Sequence, residues 1–525
     1  MAQQTADRSP ADNGTANVDL KDKEAYRKII GAFQLSERRV SGSQQRGATV
    51  ADIVAKTALP LHTVRELVPI AADEYSARLE VKSSGEILYS FPRGFTSKYR
   101  GFRARFSRFM EKFGGAVKIA AKAVFKVWIM VMLVGYFVLF MLIALASLLI
   151  SVTASSSQSS SNRSSGRGGG IGGMYFASSI FNMIIRIWFY SELTKSLDRR
   201  YYGYDRSPQP PKPKGRPLYM AIFSFVFGDG DPNADWASRE KQAVIAYIQA
   251  NRGVIALPEF MALTGNSPTE AEERIKRYCA EFGGSPEATD DGTVVYRFDE
   301  LLLRADKTKN RSFSDFSAPI KRLFTFSSNT KKMNGWFGVI NSVNLLFGGY
   351  FLYNSLTTGA ILTQAHFDAA SYLYGVTYIL FSTFAANPLP IFTVGLGIVP
   401  LVFSVLFWLI PALRYFGLKR DNETIKLENL RKSGYGQIWD KPLAVKSTDF
   451  APKAAECRPK NLTAAQDRLI KEIGAYATPD VAIAAGETVY NFTELERERA
   501  ALEKYRAEIR DDASALGETV FDSEG

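Results

Sequence analysis

The chain has 525 residues, enough for two to four domains, and a mean hydropathy of −0.09, which by itself is ordinary for a soluble protein. Its 65 Lys and Arg exceed its 53 Asp and Glu, which gives a formal net charge of +12 at pH 7. The two cysteines, Cys279 and Cys457, are far apart in sequence, which excludes a disulfide framework and suits a reducing compartment.

The chain begins with a polar stretch, residues 1–20, that does not resemble a cleavable signal peptide. We therefore expect a disordered tail, and we expect the first apolar span to direct membrane insertion. Residues 21–92 follow, and their apolar spacing predicts a helix, a short helix, a longer helix and a β-hairpin.

The next segment, residues 93–126, is strongly basic, with ten Lys and Arg against one acidic residue. Phenylalanines recur among these cations at helical spacing, which predicts an amphipathic helix on a membrane surface rich in anionic lipid. The simpler reading is a positively charged anchor beside a membrane span, and both readings can hold. The residues expected at the membrane surface are Arg100, Arg103, Arg105, Arg108 and Lys112.

Residues 127–152 form an apolar run without a charge, long enough to cross the hydrocarbon core of a bilayer. A Ser- and Gly-rich loop, residues 153–173, separates this first span from a second predicted span at 174–190. Arg186 lies within the second span, near its end, where its side chain can reach the interface. A linker over 191–237 then leads to the second folded segment.

The end of this linker contains the phrase GDGDPNADWASRE, which has the outline of a calcium-binding loop. Asp229, Asp231, Asn233 and Glu240 stand at the loop positions that supply oxygen ligands. The position where such a loop turns sharply on Gly is Ala234. We therefore interpret the phrase as a turn that caps the next helix, and we expect no metal site there.

Residues 238–300 repeat the first folded segment, because a shift of 207 residues aligns 50–91 with 257–298 without a gap. A further shift of 194 reaches a third, partial copy over 441–493. Self-similarity of this kind indicates a repeated structural unit. Each copy ends on the motif Gly-x-x-[apolar]-Tyr-x-Phe, with its defining residues at Gly85, Tyr89 and Phe91, at Gly292, Tyr296 and Phe298, and at Gly486, Tyr490 and Phe492.

The second copy shows the predicted elements most clearly. Apolar spacing predicts three helices, the third of them capped by Ser267 with Pro268 at its first position. Residues 294–298 alternate between apolar and polar, as a strand does. This order of elements resembles the winged-helix domain, a helix-turn-helix variant. The resemblance implies that the motif is the second strand of the wing, packed back on the helices.

Winged helices often bind DNA, in which case the third helix should carry net positive charge. The third helices of the three copies, residues 61–75, 267–282 and 462–476, carry net charges of −2, −1 and 0. Helices of this kind are poor partners for a polyanion. We therefore expect the copies to contact proteins rather than nucleic acid.

A basic linker over 301–332 follows the second copy and precedes two further apolar spans, 334–356 and 391–413. Between these spans, residues 357–390 are expected to form an outer loop with a re-entrant or interfacial helix. A second linker is predicted over 414–440.

The third copy is followed by residues 494–525, for which we predict a charged helix lying on that copy and then an acidic tail. Lys and Arg flank the spans on the side of the three copies, so the copies and both termini are expected in the cytoplasm. The predicted fold class is a mainly α membrane protein with about four transmembrane helices in two hairpins and three small α+β winged-helix-like domains. We expect it in a bacterial inner membrane or an equivalent membrane.

The phrase SFVFGDGDPNAD before the second copy, together with the three-part layout, resembles a family of uncharacterised membrane proteins associated with cyanobacteria and plastids. The resemblance implies no known activity.

The residues needed for catalysis do not gather in this sequence. Both histidines, His62 and His366, and both cysteines are too dispersed to form a metal or nucleophile cluster. The glycines of 168–173 match a dinucleotide-binding pattern, but they follow a Ser-rich loop instead of a strand. We expect no enzyme activity, no cofactor and no metal.

The sequence therefore predicts a non-enzymatic membrane scaffold that presents three protein-interaction domains to cytoplasmic proteins, with anionic lipids at its basic segment. A homo-oligomer is compatible with this reading. One alternative is a membrane-tethered regulator that binds nucleic acid, which salt-dependent DNA retention would favour. Another is a small-solute transporter with cytoplasmic regulatory domains, whose polar path would include Asn341, Asn344 and Asn354. Solute-dependent thermal stabilisation would favour the transporter.

Overall fold

The computed structural model describes residues 20–38, 47–96, 117–156, 216–304, 319–359, 371–450, 452, 457–484, 487–509 and 516–523. These residues are mostly helical, with three small antiparallel sheets. The chain divides into two compact units. We call residues 1–108, 231–324 and 420–525 the repeat unit, and residues 109–230 and 325–419 the apolar-helix unit.

The helices in chain order are α1 (Leu20–Arg38), α2 (Val50–Thr57), α3 (Leu61–Glu74), α4 (residues 117–156), α5 (Leu218–Phe227), α6 (Trp236–Ala250), α7 (Leu257–Thr264), α8 (Pro268–Phe282), α9 (Lys331–Thr357), α10 (Tyr372–Ser382), α11 (Ile391–Asp440), α12 (Leu462–Gly474) and α13 (Thr493–Glu508). The strands are β1 (Arg78–Lys82), β2 (Ile87–Ser90), β3 (Val254–Ala256), β4 (Ser285–Ala288), β5 (Val294–Arg297), β6 (Asp480–Ala484), β7 (Glu487–Asn491) and β8 (Thr519–Asp522). Short 3-10 turns cover Asp299–Leu301 and Ser447–Asp449.

The first and second repeats share one order of elements. Each has a helix, a strand residue or short strand, two helices and a hairpin: α1, Ala48, α2, α3, β1 and β2 in the first, and α6, β3, α7, α8, β4 and β5 in the second. The predicted cap at Ser267 and the first-turn position of Pro268 are confirmed at the start of α8. In both repeats the second strand of the hairpin pairs with the segment that precedes the second helix.

The third repeat differs from the prediction at its start. Residues 414–440 were expected to be a linker, but α11 continues through them to Asp440, and Pro442 follows two residues later. The glycines in this stretch do not end the helix. Gly434 is required by the packing of α11 on α12, because a Cβ at this position would lie 2.3 Å from the Leu469 side chain. The end of α11 thus stands where the other repeats have their first helix, and Val445 supplies the strand residue.

One apolar core extends through the repeat unit. It contains completely or almost completely buried side chains from all three repeats, among them Phe33, Ile248, Phe298, Tyr435 and Phe492. Apolar burial is the main favourable term in folding, so the three repeats stabilise one another.

The chain after the third repeat returns to the other two. We predicted that the charged helix would lie on the third repeat, and α13 does contact it, because Tyr476 donates to Glu498. However, α13 also binds the second repeat, and β8, which the sequence did not predict, pairs with β1 of the first repeat. The resulting sheet orders are β2-β1-β8, β3-β5-β4 and β6-β7.

The apolar-helix unit contains α4, α5, α9, α10 and the first part of α11. Among the described residues, two helices are long and apolar enough to cross a membrane, Val117–Ser147 and Ile391–Asp440. The first covers residues 127–147 of the predicted span 127–152, and the second includes the whole predicted span 391–413. The predicted span 334–356 lies within α9, which is 27 residues long but less apolar. The predicted span 174–190 lies outside the described residues.

The linker predicted over 191–237 contains a helix, α5, which is buried through Ile222, Phe225 and Val226 against α4 and α9. Its ten residues are too few to cross the apolar core of a bilayer, so a search for spans passes over it. Helices α9 and α11 approach closely at glycines: a Cβ at Gly348 would lie 3.1 Å from the backbone of Leu401. Small residues at such crossings are typical of packed membrane helices.

Candidate functional site

The repeated motif builds the hairpin of each repeat. Gly85 and Gly292 form the turns with φ of +83° and +80°, a left-handed conformation in which a residue with a Cβ is strained. Gly486 lies outside the described residues. The tyrosine of each motif pairs with the strand residue at the start of the repeat, as Tyr89 does with Ala48 and Tyr490 with Val445. The phenylalanines Phe91, Phe298 and Phe492 are buried in the shared core.

The same tyrosines hold the hairpin to the segment that precedes the second helix through backbone hydrogen bonds. The N–H of Ala48 donates to the Tyr89 carbonyl over 2.9 Å, and the N–H of Val445 donates to the Tyr490 carbonyl over 2.9 Å. In the second repeat, Tyr296 stands opposite Ile255 in the β3–β5 ladder. The described motif residues therefore have a structural role.

A second feature is repeated in all three copies. An acidic residue stands at the third position of the helical turn that follows the segment paired with the motif tyrosine. Its carboxylate accepts a hydrogen bond from the backbone N–H at the cap, which satisfies a donor that a helix N-terminus leaves unpaired. The distance is 3.1 Å in each repeat, for the pairs Thr49–Asp52, Ala256–Glu259 and Lys446–Asp449.

In the first repeat, this acid is held by the tail of the second repeat. Asp52 is 1% exposed, and its Oδ1 lies 3.4 Å from Nε of Arg304. Beside it, the Thr49 hydroxyl donates to the carbonyl of Leu303 over 2.8 Å. Residues just after the second hairpin therefore complete the buried N-terminus of α2 in the first repeat.

In the second repeat, the acid is held by the tail of the third. Glu259 is also 1% exposed, and Arg506 on α13 donates to its two oxygens over 2.9 and 2.6 Å. Tyr247 donates its hydroxyl to the same carboxylate over 2.6 Å. Because burial and the Glu259 charge both disfavour a phenolate, the pKa of Tyr247 is raised. Burial disfavours the charged guanidinium of Arg506, but Glu259 outweighs that effect and the pKa of Arg506 is raised.

We call these two arrangements, Asp52 with Arg304 and Glu259 with Arg506, the clasps. Each joins the tail of one repeat to the buried helix start of the previous repeat. A third link runs from the C-terminus to the first repeat, where β8 pairs with β1 and Arg78 forms an ion pair with Asp522. Each of the first two repeats is therefore bound by the tail of the repeat that follows it, and the first repeat is also bound by β8.

Three arginines on the third helices have carboxylate partners. On α3, Arg65 lies 3.1 Å from Glu300, and on α8, Arg274 lies 2.9 Å from Glu240. On α12, Arg468 donates to Glu472 over 2.8 Å. These arginines are engaged by carboxylates of the same unit, so a phosphate would have to displace an existing partner.

Glu472 on α12 is the centre of a network that holds the end of α11. Arg431 donates to its Oε2 over 2.8 Å, and the Tyr435 hydroxyl donates to the same oxygen over 3.1 Å. Burial would raise the pKa of Glu472, but the hydrogen bonds from Arg431 and Arg468 outweigh burial and lower it. A cavity of about 210 Å³ lies beside this network, with Leu427, Leu430 and Leu469 among its lining residues.

The four residues of the calcium-like phrase are bound to separate local partners. Asp229 accepts hydrogen bonds from the hydroxyls of Ser224 and Ser328 and pairs with Arg216. Burial opposes its ionisation, but those hydrogen bonds outweigh it and lower the pKa of Asp229.

The other three residues of the phrase lie in the repeat unit. Asp231 accepts the backbone N–H of Asn233 over 2.8 Å, which forms a turn. Asn233 exchanges hydrogen bonds with the backbone of Arg322, and Glu240 accepts from the Trp236 indole over 2.8 Å. Within the described ranges, no group of three or more His, Cys, Asp or Glu side chains is placed to hold a metal ion.

Several residues singled out from the sequence lie outside the described residues. They are the basic residues Arg100, Arg103, Arg105, Arg108 and Lys112, the glycines of 168–173, and Arg186 and His366. His62 is exposed on α3.

The asparagines considered for a polar path lie on α9. Asn341 donates to the carbonyl of Ser404 over 2.9 Å, and Asn344 donates to the carbonyl of Leu133 over 2.8 Å, so both bind neighbouring helices. Asn354 donates to Tyr350 on its own helix. Leu133 lies in the π-helical turn Val131–Gly135 of α4, a geometry that disturbs the regular bonding of backbone carbonyls.

The sequence did not predict the clasps. The signal was present, because the shift of 207 residues places Asp52 over Glu259, at the same distance before the motif. The arginines gave no comparable signal, since Arg304 and Arg506 follow their motifs at different distances.

The fold and this site define a mostly helical protein with small sheets and two helices that are long and apolar enough to cross a membrane. No family model and no solved structure matches the chain. The chain is similar to an uncharacterised chloroplastic protein of Arabidopsis thaliana, with 24% identity over 413 residues, which cover 76% of this chain and 71% of the relative. This distant similarity agrees with the expected link to plastid proteins.

Proposed function

We propose that the protein is a membrane-anchored, non-enzymatic platform whose three repeats are winged-helix-like modules fused into one protein-binding body. The shared order of helix, strand, two helices and hairpin supports the winged-helix assignment. The observation that carries the platform is the pair of clasps, Asp52 with Arg304 and Glu259 with Arg506.

The clasps favour a rigid body over three independent readers. Breaking a buried ion pair leaves an uncompensated charge and typically costs about 3–5 kcal/mol. Separation of the modules at a clasp is therefore energetically unfavourable. A protein that reads separate nucleic-acid sites needs modules that can adjust to the spacing of those sites. A fixed body instead offers one large surface of constant shape, which suits a protein partner.

The charges of the third helices support the same choice. The arginines Arg65, Arg274 and Arg468 are engaged by carboxylates of the unit itself. Nucleic-acid binding draws most of its affinity from free cations that neutralise phosphates. The proposed partners are therefore proteins on the side of the membrane where the repeat unit lies, with anionic lipid at the basic segment 93–126.

The division of the chain supports an even number of membrane crossings. Residues 109–230 and 325–419 each begin and end at segments of the repeat unit, whose parts share one core and must lie on one side of any membrane. Two crossings in each segment satisfy this condition, with 127–152 and 174–190 in the first and α9 and the start of α11 in the second. The 11 residues of α10 reach about 16 Å, short of the roughly 30 Å of hydrocarbon, which supports a re-entrant or interfacial helix there.

The proposed location is a bacterial inner membrane or the equivalent plastid membrane, with both termini on the cytoplasmic or stromal side. The similarity to a chloroplastic protein and the two apolar helices support this location. Lys and Arg flanking the spans support the sidedness.

The test is a pull-down of the tagged full chain in mild detergent, divided into a nuclease-treated and an untreated half, with the untagged chain as the control. We expect a protein partner in stoichiometric amount in both halves. Recovery of DNA or RNA alone, or of proteins only in the untreated half, would instead support a membrane-tethered nucleic-acid-binding regulator.

One observation favours transport of a small solute as a second function. Oδ1 of Asn341, Oδ1 of Asn344 and Oγ of Ser404 are buried and have no hydrogen-bond partner among the described residues. Buried polar groups are normally paired, so these oxygens are candidates to bind a solute or ion in passage. Thermal unfolding of the purified protein across a panel of ions and small solutes tests this, because a solute that binds the folded state should raise the transition temperature further as its concentration exceeds its Kd.

A further inference from the structure

The outer edge of the first hairpin carries an added strand. Strand β8 pairs antiparallel with β1, with Glu80 opposite Asp522, Val81 opposite Phe521, and a register shift before Lys82. The outer strand β4 of the second repeat contains Pro286, which cannot donate to a new strand, whereas the outer strand β6 of the third repeat, like β1, contains no proline. β1 contains no proline, so it is able to accept a full strand.

Polar contacts fix β8 on this edge. Nε of Arg78 donates to the Asp522 carboxylate over 2.9 Å, and Nζ of Lys82 donates to the Thr519 hydroxyl over 2.6 Å. The backbone N–H of Ser83 donates to the carbonyl of Glu518 over 2.8 Å. The edge thus binds the backbone of an extended segment, and its Arg78 and Lys82 bind a carboxylate at one end of that segment and a hydroxyl at the other.

Little apolar surface holds β8 in place. Leu516 is buried with Leu88, but Val520 and Phe521 are 71% and 59% exposed. A segment with few buried apolar contacts opens at a small fraction of the global unfolding free energy.

We propose that the outer edge of β1 is a docking site for an extended segment of a protein partner, and that β8 occupies this site as an internal competitor. The proposal rests on the proposed platform function and names one place on the platform where a partner binds. The partner segment has the chemistry of β8: an acidic residue opposite Glu80 that reaches the Arg78 guanidinium, and a hydroxyl-bearing residue opposite Lys82. Strand addition supplies affinity through backbone hydrogen bonds and specificity through these side chains.

Competition by a tethered strand sets the expected affinities. A short tether holds a competing segment at an effective concentration in the millimolar range, so a partner peptide binds the intact chain weakly. Removal of residues 516–525 removes the competitor, and the same peptide should then bind about tenfold or more tightly. Release of β8, for example by a partner that covers Val520 and Phe521, would therefore control access to the site.

The experiment uses a fluorescent peptide with the sequence of residues 516–525, LGETVFDSEG, and measures its anisotropy with the purified full chain and with the chain lacking 516–525. We expect the truncated chain to bind at least about tenfold more tightly than the full chain. A peptide with Asp522→Lys should bind more weakly to the truncated chain, and a scrambled peptide should not bind. Absence of binding to a truncated chain that retains its unfolding transition would overturn the proposal.

A second variant covers the case in which truncation unfolds the repeat unit. Asp522→Lys in the full chain keeps the β8 backbone but removes its ion pair with Arg78. This variant should bind the native-sequence peptide more tightly than the unaltered chain does, and equal binding would contradict the proposal. The peptide assay needs no natural partner, so a failed pull-down would count against the platform function without deciding the docking edge.

Discussion

The guanidinium of Arg506 binds the carboxylate of Glu259 through two hydrogen bonds, 2.9 Å from Nη1 to Oε1 and 2.6 Å from Nη2 to Oε2. The two residues are 247 positions apart in sequence. Glu259 also caps α7 through the N–H of Ala256. The charge at the start of a buried helix in the second repeat is thus neutralised by a residue that follows the third repeat, which makes the folding of the two repeats interdependent.

Replacing this arginine should destabilise the whole repeat unit. In Arg506→Met, the Glu259 carboxylate remains buried without its counter-charge, and we expect the free energy of unfolding to fall by about 3–5 kcal/mol. Urea unfolding of the full chain in mild detergent measures the change. The matched control is Arg497→Met, an exposed arginine on the same helix, for which we expect a change within about 0.5 kcal/mol. Equal effects of the two substitutions would show that the clasp contributes nothing specific.

The shared core predicts a single cooperative transition. Phe298 is completely buried in this core, so Phe298→Ala should cost about 3–5 kcal/mol through lost transfer energy and a cavity. Val294, on the same hairpin, is 52% exposed, and Val294→Ala should change stability by less than about 1 kcal/mol.

Hydrogen exchange distinguishes cooperative from independent repeats. In Phe298→Ala, amides in the helices of all three repeats should lose protection together, although the substitution lies in the second. Loss of protection confined to residues 236–301 would mean that the repeats unfold separately.

Glu472 predicts how stability depends on pH. Its pKa in the folded protein lies below the ordinary value of 4.5, so its stabilising contribution is present above pH 4.5 and is lost as the pH falls through the folded pKa. Glu472→Gln should therefore be less stable than the unaltered protein at pH 7, by about 1.5–3 kcal/mol for its charged hydrogen bonds.

The difference between Glu472→Gln and the unaltered chain should shrink as the pH falls below 4.5, because both side chains are then neutral. Urea unfolding at a series of pH values measures this. Asp467→Asn, an exposed carboxyl on the same helix, is the control and should show little difference at any pH. A constant difference for Glu472→Gln across the pH range would contradict the role given to its charge.

The sequence predicted the parts of the fold that depend on local pattern. The motif from Gly85 to Phe91 and its copy from Gly292 to Phe298 predicted a turn, a strand and a buried aromatic, because turn geometry and alternation are local properties. The helical start at Ser267 was predicted for the same reason.

The parts that the sequence did not predict depend on distant contacts. Glycine usually weakens a helix, but Gly434 allows the close approach of Leu469, and α11 continues through the predicted linker 414–440. Strand β8 is acidic and short, and only its partner β1, more than four hundred residues away, makes it a strand. The clasps depend on which tail meets which helix, a relation that no local pattern contains.

We propose that all three repeats lie in one body on one side of a membrane. This arrangement is tested with single cysteines at exposed positions, one per repeat: Glu66→Cys, Asp290→Cys and Asp467→Cys. Each is made in a chain whose native Cys279 and Cys457 are replaced by serine, and a membrane-impermeant maleimide is applied to sealed vesicles of known orientation.

All three cysteines should be labelled from the same, cytoplasmic side. A cysteine at Ser159, in the loop predicted between the first two spans, serves as the control and should be labelled from the opposite side. Labelling of any one repeat from the side opposite to the other two would contradict the account, because residues that share one core cannot be separated by a bilayer.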